Sequence, residues 1–146
     1  MSRLFIVRNM SQIMNQTALE TSKATEDLSM YEEYFYLTKK HEKEQGDRTI
    51  VLLNCGIFFE MYGYAEEKGD IIGSNIVDVC ELCDLACTEK KQTRYNNHTL
   101  YQAGFRVVDE PKFVTMITEG GYTAVKYVQT GEVNKKTKKI IRKLEG

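Results

Sequence analysis

The apolar run from Ile50 to Leu53, inside "TIVLLNC", constrains this chain more than any other stretch. Consecutive apolar residues with a β-branched start fit a strand covered on both faces, because a strand with one wet face alternates polar with apolar. Such a strand needs a layer on either side. The run then meets Gly56 and continues as "GIFFEMYG". Successive strand side chains point to opposite faces, so at most one of Phe58 and Phe59 should be fully buried. Phe58 shares its face with Glu60, which favours an exposed Phe58 and a buried Phe59. Gly56 and Gly63 flank the motif and permit a turn or a close backbone approach.

The remaining chain of 146 residues supplies the layers and is long enough for one domain with a real core. Ser29-Met-Tyr-Glu32 is a capping box that opens a helix, with Tyr31, Tyr34, Phe35 and Leu37 at helical spacing and Gly46 as its stop. "YAEEKGDIIG" reads as a loop. Ser74 suits the cap of a second helix with Ile76, Val79, Cys80 and Cys83 on one side. "DLACTEK" reads as a short strand, "QTRYNNH" as a polar loop and "TLYQAGFRVV" as a strand. Asp109-Glu-Pro opens a third helix that turns Phe113, Val114 and Ile117 to the core and ends at Gly120-Gly121. "YTAVKYVQT" alternates as a strand, and "KKTKKIIRKL" reads as a final edge strand protected by its lysines. The expected architecture is α+β (mixed α/β), a single domain whose mixed sheet of about five to six strands carries about three helices. Residues 1–27 read as a polar N-terminal arm and 28–146 as the domain.

Charge and motif content narrow the chemistry. Net charge is −1, with 20 Lys and Arg against 21 Asp and Glu, so contact with phosphates requires a local basic patch. No apolar run approaches the ~20 residues of a membrane span, and "LFIV" is shorter than the ~7–15 residues of a signal-peptide core. The four cysteines are expected as reduced thiols. Cys80, Cys83 and Cys87 invite a zinc reading with His98 as a fourth ligand, but the same spacing places side chains on one helix face, and burial is preferred. Neither a metal nor another cofactor is expected. Asp70, Asp78, Glu81 and Asp84 are scattered, His41 and His98 are expected in solvent, and no catalytic or phosphate-loop motif occurs, so the chain is not expected to be an enzyme. Lys135, Lys136, Lys138, Lys139, Arg142 and Lys143 form either a phosphate-contacting strip or a solvated edge, with equal weight.

"GIFFEMYG" resembles the Gly-x-Phe-Tyr-Glu-Leu/Met-Phe/Tyr motif of the amino-terminal mismatch-recognition domain of MutS mismatch-repair proteins. Further blocks stand in family order. "DLACTEKK" lies where MutS has Asp-Ile-x-Leu-Thr-Lys-Arg, and "LYQAGF" where it has Pro-Met-Ala-Gly-Val/Phe-Pro. "PKFVTMITEGGYTAVKYVQTG" and "KKIIRKLEG" match its helix, Gly turn and closing strands. The resemblance covers about residues 28–146, and "EMYGYAEEKG" is most similar to the branch of large DNA viruses and some mitochondria. It implies a MutS domain I-like fold, an intracellular and viral setting (virion or host replication site) ahead of a mitochondrial one, and mismatched double-stranded DNA as partner. It also implies that Phe58 inserts from the minor groove and that Glu60 hydrogen-bonds the mispaired base. Lys90, Lys91, Arg94 and Arg106 are then expected to hold phosphates, with Gln102 near the groove.

Physics gives that motif a rationale. A mispaired step stacks poorly, so an apolar wedge enters it at lower cost than a paired step, where unstacking takes a few kcal/mol. A carboxylate penalises intact duplex and is tolerated where a misplaced base edge offers a donor. The sequence departs from MutS at Ile57, at Gln102 and at Arg106 with Val107-Val108, while Gln129 keeps an amide. The clamp, connector, lever and ATPase of MutS have no counterpart here, which calls for a protein partner to supply clamp and ATPase functions. Met1 and a basic closing strand suit a standalone viral protein as well as a domain from a longer one. The alternative function is a MutS-derived domain recruited as a structural or protein-interaction component, for instance of a virion or replication assembly, without mismatch reading.

Overall fold

A computed structural model describes residues 29–133 and 140–145 of the chain. The arm at 1–27 and Lys135, Lys136, Lys138 and Lys139 lie outside the described residues. Helix α1 (Met30–Gln45) leads into β1 (Thr49–Cys55) and β2 (Phe58–Ala65). A two-residue β3 (Ile71–Ile72), α2 (Ile76–Cys83), β4 (Thr88–Tyr95) and β5 (His98–Arg106) follow. A 3-10 turn (Val107–Asp109) opens α3 (Glu110–Glu119), and β6 (Thr123–Val133) and β7 (Ile140–Glu145) complete the described chain.

The strands form one mixed sheet in the order β4-β5-β2-β1-β6-β7, with β3 bonded to β2. β1 pairs antiparallel with β2 and parallel with β6. The fold is thus the mixed α+β domain expected from the pattern, with three α-helices among the described residues. Ile50, Val51, Leu52 and Leu53 have no exposed surface, because helices cover both faces of the sheet. On one face α1 seats Tyr34 edge-on against Tyr62 at 5.1 Å and Phe35 against Tyr64 at 5.1 Å. The opposite face carries α2 and α3, where Phe113 stacks on Phe105 at 4.8 Å and Glu110 meets Lys126 at 3.2 Å. The capping box at Ser29 and Glu32 is formed in both directions. Cys80 and Cys83 join Ile76 and Val79 in the core.

Several local expectations are corrected. β2 does not stop at Gly63 but runs to Ala65, and Ile71–Ile72 pair back on it, so "YAEEKGDIIG" is partly strand. Gly63 is not a turn; a Cβ there would come 2.8 Å from Cγ2 of both Ile71 and Ile76. "QTRY" is strand rather than loop, because the reversal needs only Asn96 and Asn97, both at positive φ, as in a type I′ turn. Tyr95 thereby reaches Phe35 and Tyr64 at 4.6 and 5.0 Å. β5 ends at Arg106, and Val107-Val108 enter the 3-10 turn ahead of Pro111. Asn75, not Ser74, takes the cap position of α2, although Ser74 Oγ still accepts the Ile76 N–H at 3.2 Å.

His41 was expected in solvent and is 2% exposed. It continues the Tyr34, Leu37, Thr38 stripe of α1, so helical periodicity carries it onto the sheet. Its Nε2 lies 2.7 Å from the Tyr127 hydroxyl. His98 is half-buried, with Nδ1 3.0 Å from the Ala65 carbonyl oxygen. Burial holds the His41 pKa down at about 4, with Glu44 opposing and Lys40 adding to the depression. An unfolded histidine titrates near ~6.5, so between the two values the unfolded chain binds a proton that the folded chain refuses. The stability from neutral His41 is complete above that upper value and is lost as pH falls toward the lower one. Urea unfolding at stepped pH should show wild type losing on the order of 2–3 kcal/mol relative to His41→Gln between neutrality and pH 4. Parallel curves would place the burial penalty elsewhere.

Candidate functional site

The motif sits where the α1-covered face of the sheet becomes open. Cys55 pairs with Phe58 across a two-residue turn of Gly56 and Ile57. Gly56 has φ 61°, while Ile57 is not among the positive-φ residues, the type II′ pattern that suits a hairpin. Strand alternation then sends Phe58 outward and Phe59 inward. Phe58 is 42% exposed and Phe59 3%, the division that the sequence implied.

A buried amide holds this turn. Asn54 is 7% exposed, and its Nδ2 donates to the Gly56 and Phe58 carbonyls at 2.9 and 3.1 Å. Its Oδ1 accepts from the Gln129 backbone N–H at 3.0 Å. Gln129 Oε1 in turn accepts the Gly56 N–H at 3.0 Å. Arg142 donates from Nε to the Asn54 carbonyl at 2.7 Å and lies 4.0 Å from Glu33. This corrects its place in a free basic strip, since the Arg142 side chain is only 8% exposed. Lys143 is exposed on the edge strand β7.

Around Phe58, register places the expected residues. Arg106 pairs directly with Phe58, Gly104 with Glu60, and Gln102 with Tyr62. Directly paired residues project on one face, so Phe58, Glu60, Gln102 and Arg106 form one surface. Lys90 joins it, with Nζ 3.4 Å from Gln102 Oε1. Gly104 leaves room above Glu60, and a Cβ there would collide with the Phe59 carbonyl oxygen. Lys91 follows Lys90 and is exposed, just before the irregularity marked by Gln92 at φ 62°. Arg94 is elsewhere. It pairs with Thr99 at the far end of the β4–β5 hairpin and donates to the Asn97 carbonyl. Thr99 is seven residues from Arg106, roughly 23 Å along the strand.

Sequence reasoning missed Tyr62 as a member of this site. Its hydroxyl donates to Glu60 Oε1, although the side chain is fully buried. Burial and then the Glu60 carboxylate push the phenol far above its ordinary range, so it remains a proton donor. The signal was the two-residue strand period from Glu60, and the partner was hidden because Tyr62 also reads as plain core. Apolar side chains border the site: Ile57, Val107 and Val108 are 63%, 39% and 71% exposed, and the Val107 N–H bonds the Ile57 carbonyl at 2.7 Å.

The cysteines do not assemble a centre with His98. Cys80 and Cys83 are buried under the sheet on α2, whereas His98 contacts Tyr64 on the α1 face. Among the described residues no group of three or more His, Cys, Asp or Glu is placed to hold a metal ion. Burial raises the Cys83 thiol pKa. No described helix is long and apolar enough to cross a membrane. No protein-family model and no curated protein sequence matches the chain.

Removing the Asn54 amide strands three part-buried backbone groups at once, those of Gly56, Phe58 and Gln129. Asn54→Ala should lower unfolding stability by about 1–3 kcal/mol, the usual penalty for orphaned buried partners. A shift of the denaturation midpoint would register it, and an unchanged midpoint would mean that water replaces the amide.

Proposed function

We propose that this domain binds duplex DNA without catalysis and reads mismatched or deformable steps by inserting Phe58 from the minor groove, as the MutS recognition domains that it resembles do. One observation carries the reading: an aromatic ring stands exposed on a turn pinned by a buried amide, with a carboxylate next along the same face. A wedge must be exposed to enter a base step and rigid enough that its own ordering is not lost on entry. Glu60 penalises paired steps, and Arg106 and Lys90 offer cations to the flanking phosphates. Arg94 contacts DNA only if the duplex follows the β4–β5 hairpin to its tip. Clamp and ATPase functions come from outside this domain, on a partner or on a longer chain, and the setting is intracellular and viral.

The recruited-interaction reading retains support from one feature. Ile57 and Val108 are the most exposed large apolar side chains among the described residues; Ile57 precedes Phe58, and Val108 follows Val107, whose N–H bonds the Ile57 carbonyl. In that case the patch meets protein, and DNA affinity is absent even at low salt.

Fluorescence anisotropy at low salt separates the two. The domain should bind a duplex with a one-base bulge or a G·T pair more tightly than the matched duplex, whose Kd should lie in the non-specific range of about 10⁻⁴–10⁻⁶ M. Phe58→Ala should abolish the preference, and Arg106→Ala should lower the salt slope by about one unit for both duplexes. Equal affinity for the duplexes, or a preference that survives loss of the ring, overturns the proposal.

A further inference from the structure

We infer that Tyr62 is a positioning residue that fixes the Glu60 carboxylate at the surface and thereby sets how strongly the site discriminates between duplexes; this rests on the function proposed above. The geometry is direct. Tyr62 lies two residues beyond Glu60 on β2, so both side chains share the α1 face, and the hydroxyl donates to Glu60 Oε1. The phenol ring cannot move to follow its partner. Tyr31 and Tyr34 meet it edge-on at 5.0 and 5.1 Å, and it has no exposed surface. Its hydroxyl has one further neighbour, Cys55 Sγ at 3.7 Å.

The carboxylate, by contrast, is half-buried, and its neighbour on β5 is Gly104, which has no side chain to bear on it. Without the bond from Tyr62 the glutamate samples other rotamers, one of which turns toward the cation of Arg106, which pairs with Phe58 on the same face. A carboxylate neutralised in that way no longer repels a paired step. The buried hydroxyl holds Oε1 and restricts the carboxylate to the rotamers that keep this bond. Tyr62 thus keeps the negative charge beside the wedge and apart from the cation, although it touches no DNA itself.

The test is a double-mutant cycle read in binding. Tyr62→Phe keeps the ring and removes the hydroxyl. It should tighten binding to the matched duplex and shrink the bulge-to-match affinity ratio by about 10–100-fold, the effect of one hydrogen bond to a charged group. In a Glu60→Ala background the same change should have no effect on the ratio, because its target is gone. A ratio unchanged by Tyr62→Phe, or a loss that persists without Glu60, overturns the inference while leaving the wedge reading intact. Equal affinity of the wild type for both duplexes overturns the reading itself, and the inference with it. Should Tyr62→Phe fail to fold, Glu60→Gln removes the charge and leaves the hydroxyl an acceptor. It should raise matched-duplex affinity by a similar factor, and no rise refutes the role of the held charge.

Discussion

Strand β1 runs through the middle of the sheet with every residue from Thr49 to Asn54 buried, and a strand so placed has no wet face for a polar side chain. Each buried aliphatic residue contributes about 1.5–3 kcal/mol relative to exposure, so four in succession make this strand a large local source of hydrophobic stabilisation. Its placement dictates the layers. α1 has to cover one face, and α2 with α3 the other. The parallel pairing with β6 follows too, since the chain must leave β5, cross as α3 and return beside β1.

The two ends of β1 are where this apolar rule stops, and both are closed by side chains that bond backbone. At the entry, Thr49 Oγ1 donates to the Gly46 carbonyl at 2.7 Å, and Arg48 donates to the Gly120 and Gly121 carbonyls just past α3 while lying over Tyr122 at 4.3 Å. At the exit, Asn54 turns its amide into the hairpin and ties it to β6. The exit is the more exposed of the two, because Phe58 and Ile57 leave the core there. Surface side chains on a turn are usually mobile; here the turn inherits the rigidity of the most buried strand through one amide. Side chains anchored on regular elements hold their geometry better than those on free loops.

Periodicity made the layers legible in the sequence, and local chemistry hid the joints. The continuous run at Ile50, the capping box at Ser29 and the stripe Ile76, Val79, Cys80, Cys83 each repeat one physical requirement over several residues, so each was readable. Errors came where a single tertiary contact outweighed composition. "QTRY" is polar enough for a loop, yet Tyr95 anchors it as strand through two aromatic contacts. His41 is flanked by lysines and glutamates, but its helical phase buries it against a tyrosine eighty-six positions away. Arg142 sits in a lysine-rich tail and is drawn inward by the Asn54 carbonyl. The exposed ring at Phe58 was readable from alternation alone. Its supports were not, because Asn54, Gln129 and Arg142 meet only after β6 and β7 have joined the sheet.

Under the proposed function, the near-neutral charge has a physical consequence. Phosphate contact supplies affinity without distinguishing sequences or steps, and a strongly basic domain would bind matched duplex almost as well as a defective one. A site with few cations and one fixed anion gives up that shared affinity and keeps the difference between steps, which is what specificity consists of. Such a domain works only if something else holds it to DNA. Tethering to a clamp raises its local concentration to the millimolar range, enough to occupy a site whose own Kd is about 10⁻⁴ M. Weak intrinsic binding is then compatible with mismatch reading and favours it. Under that proposal the domain would release paired steps quickly and stay where the ring at Phe58 finds a step already loosened.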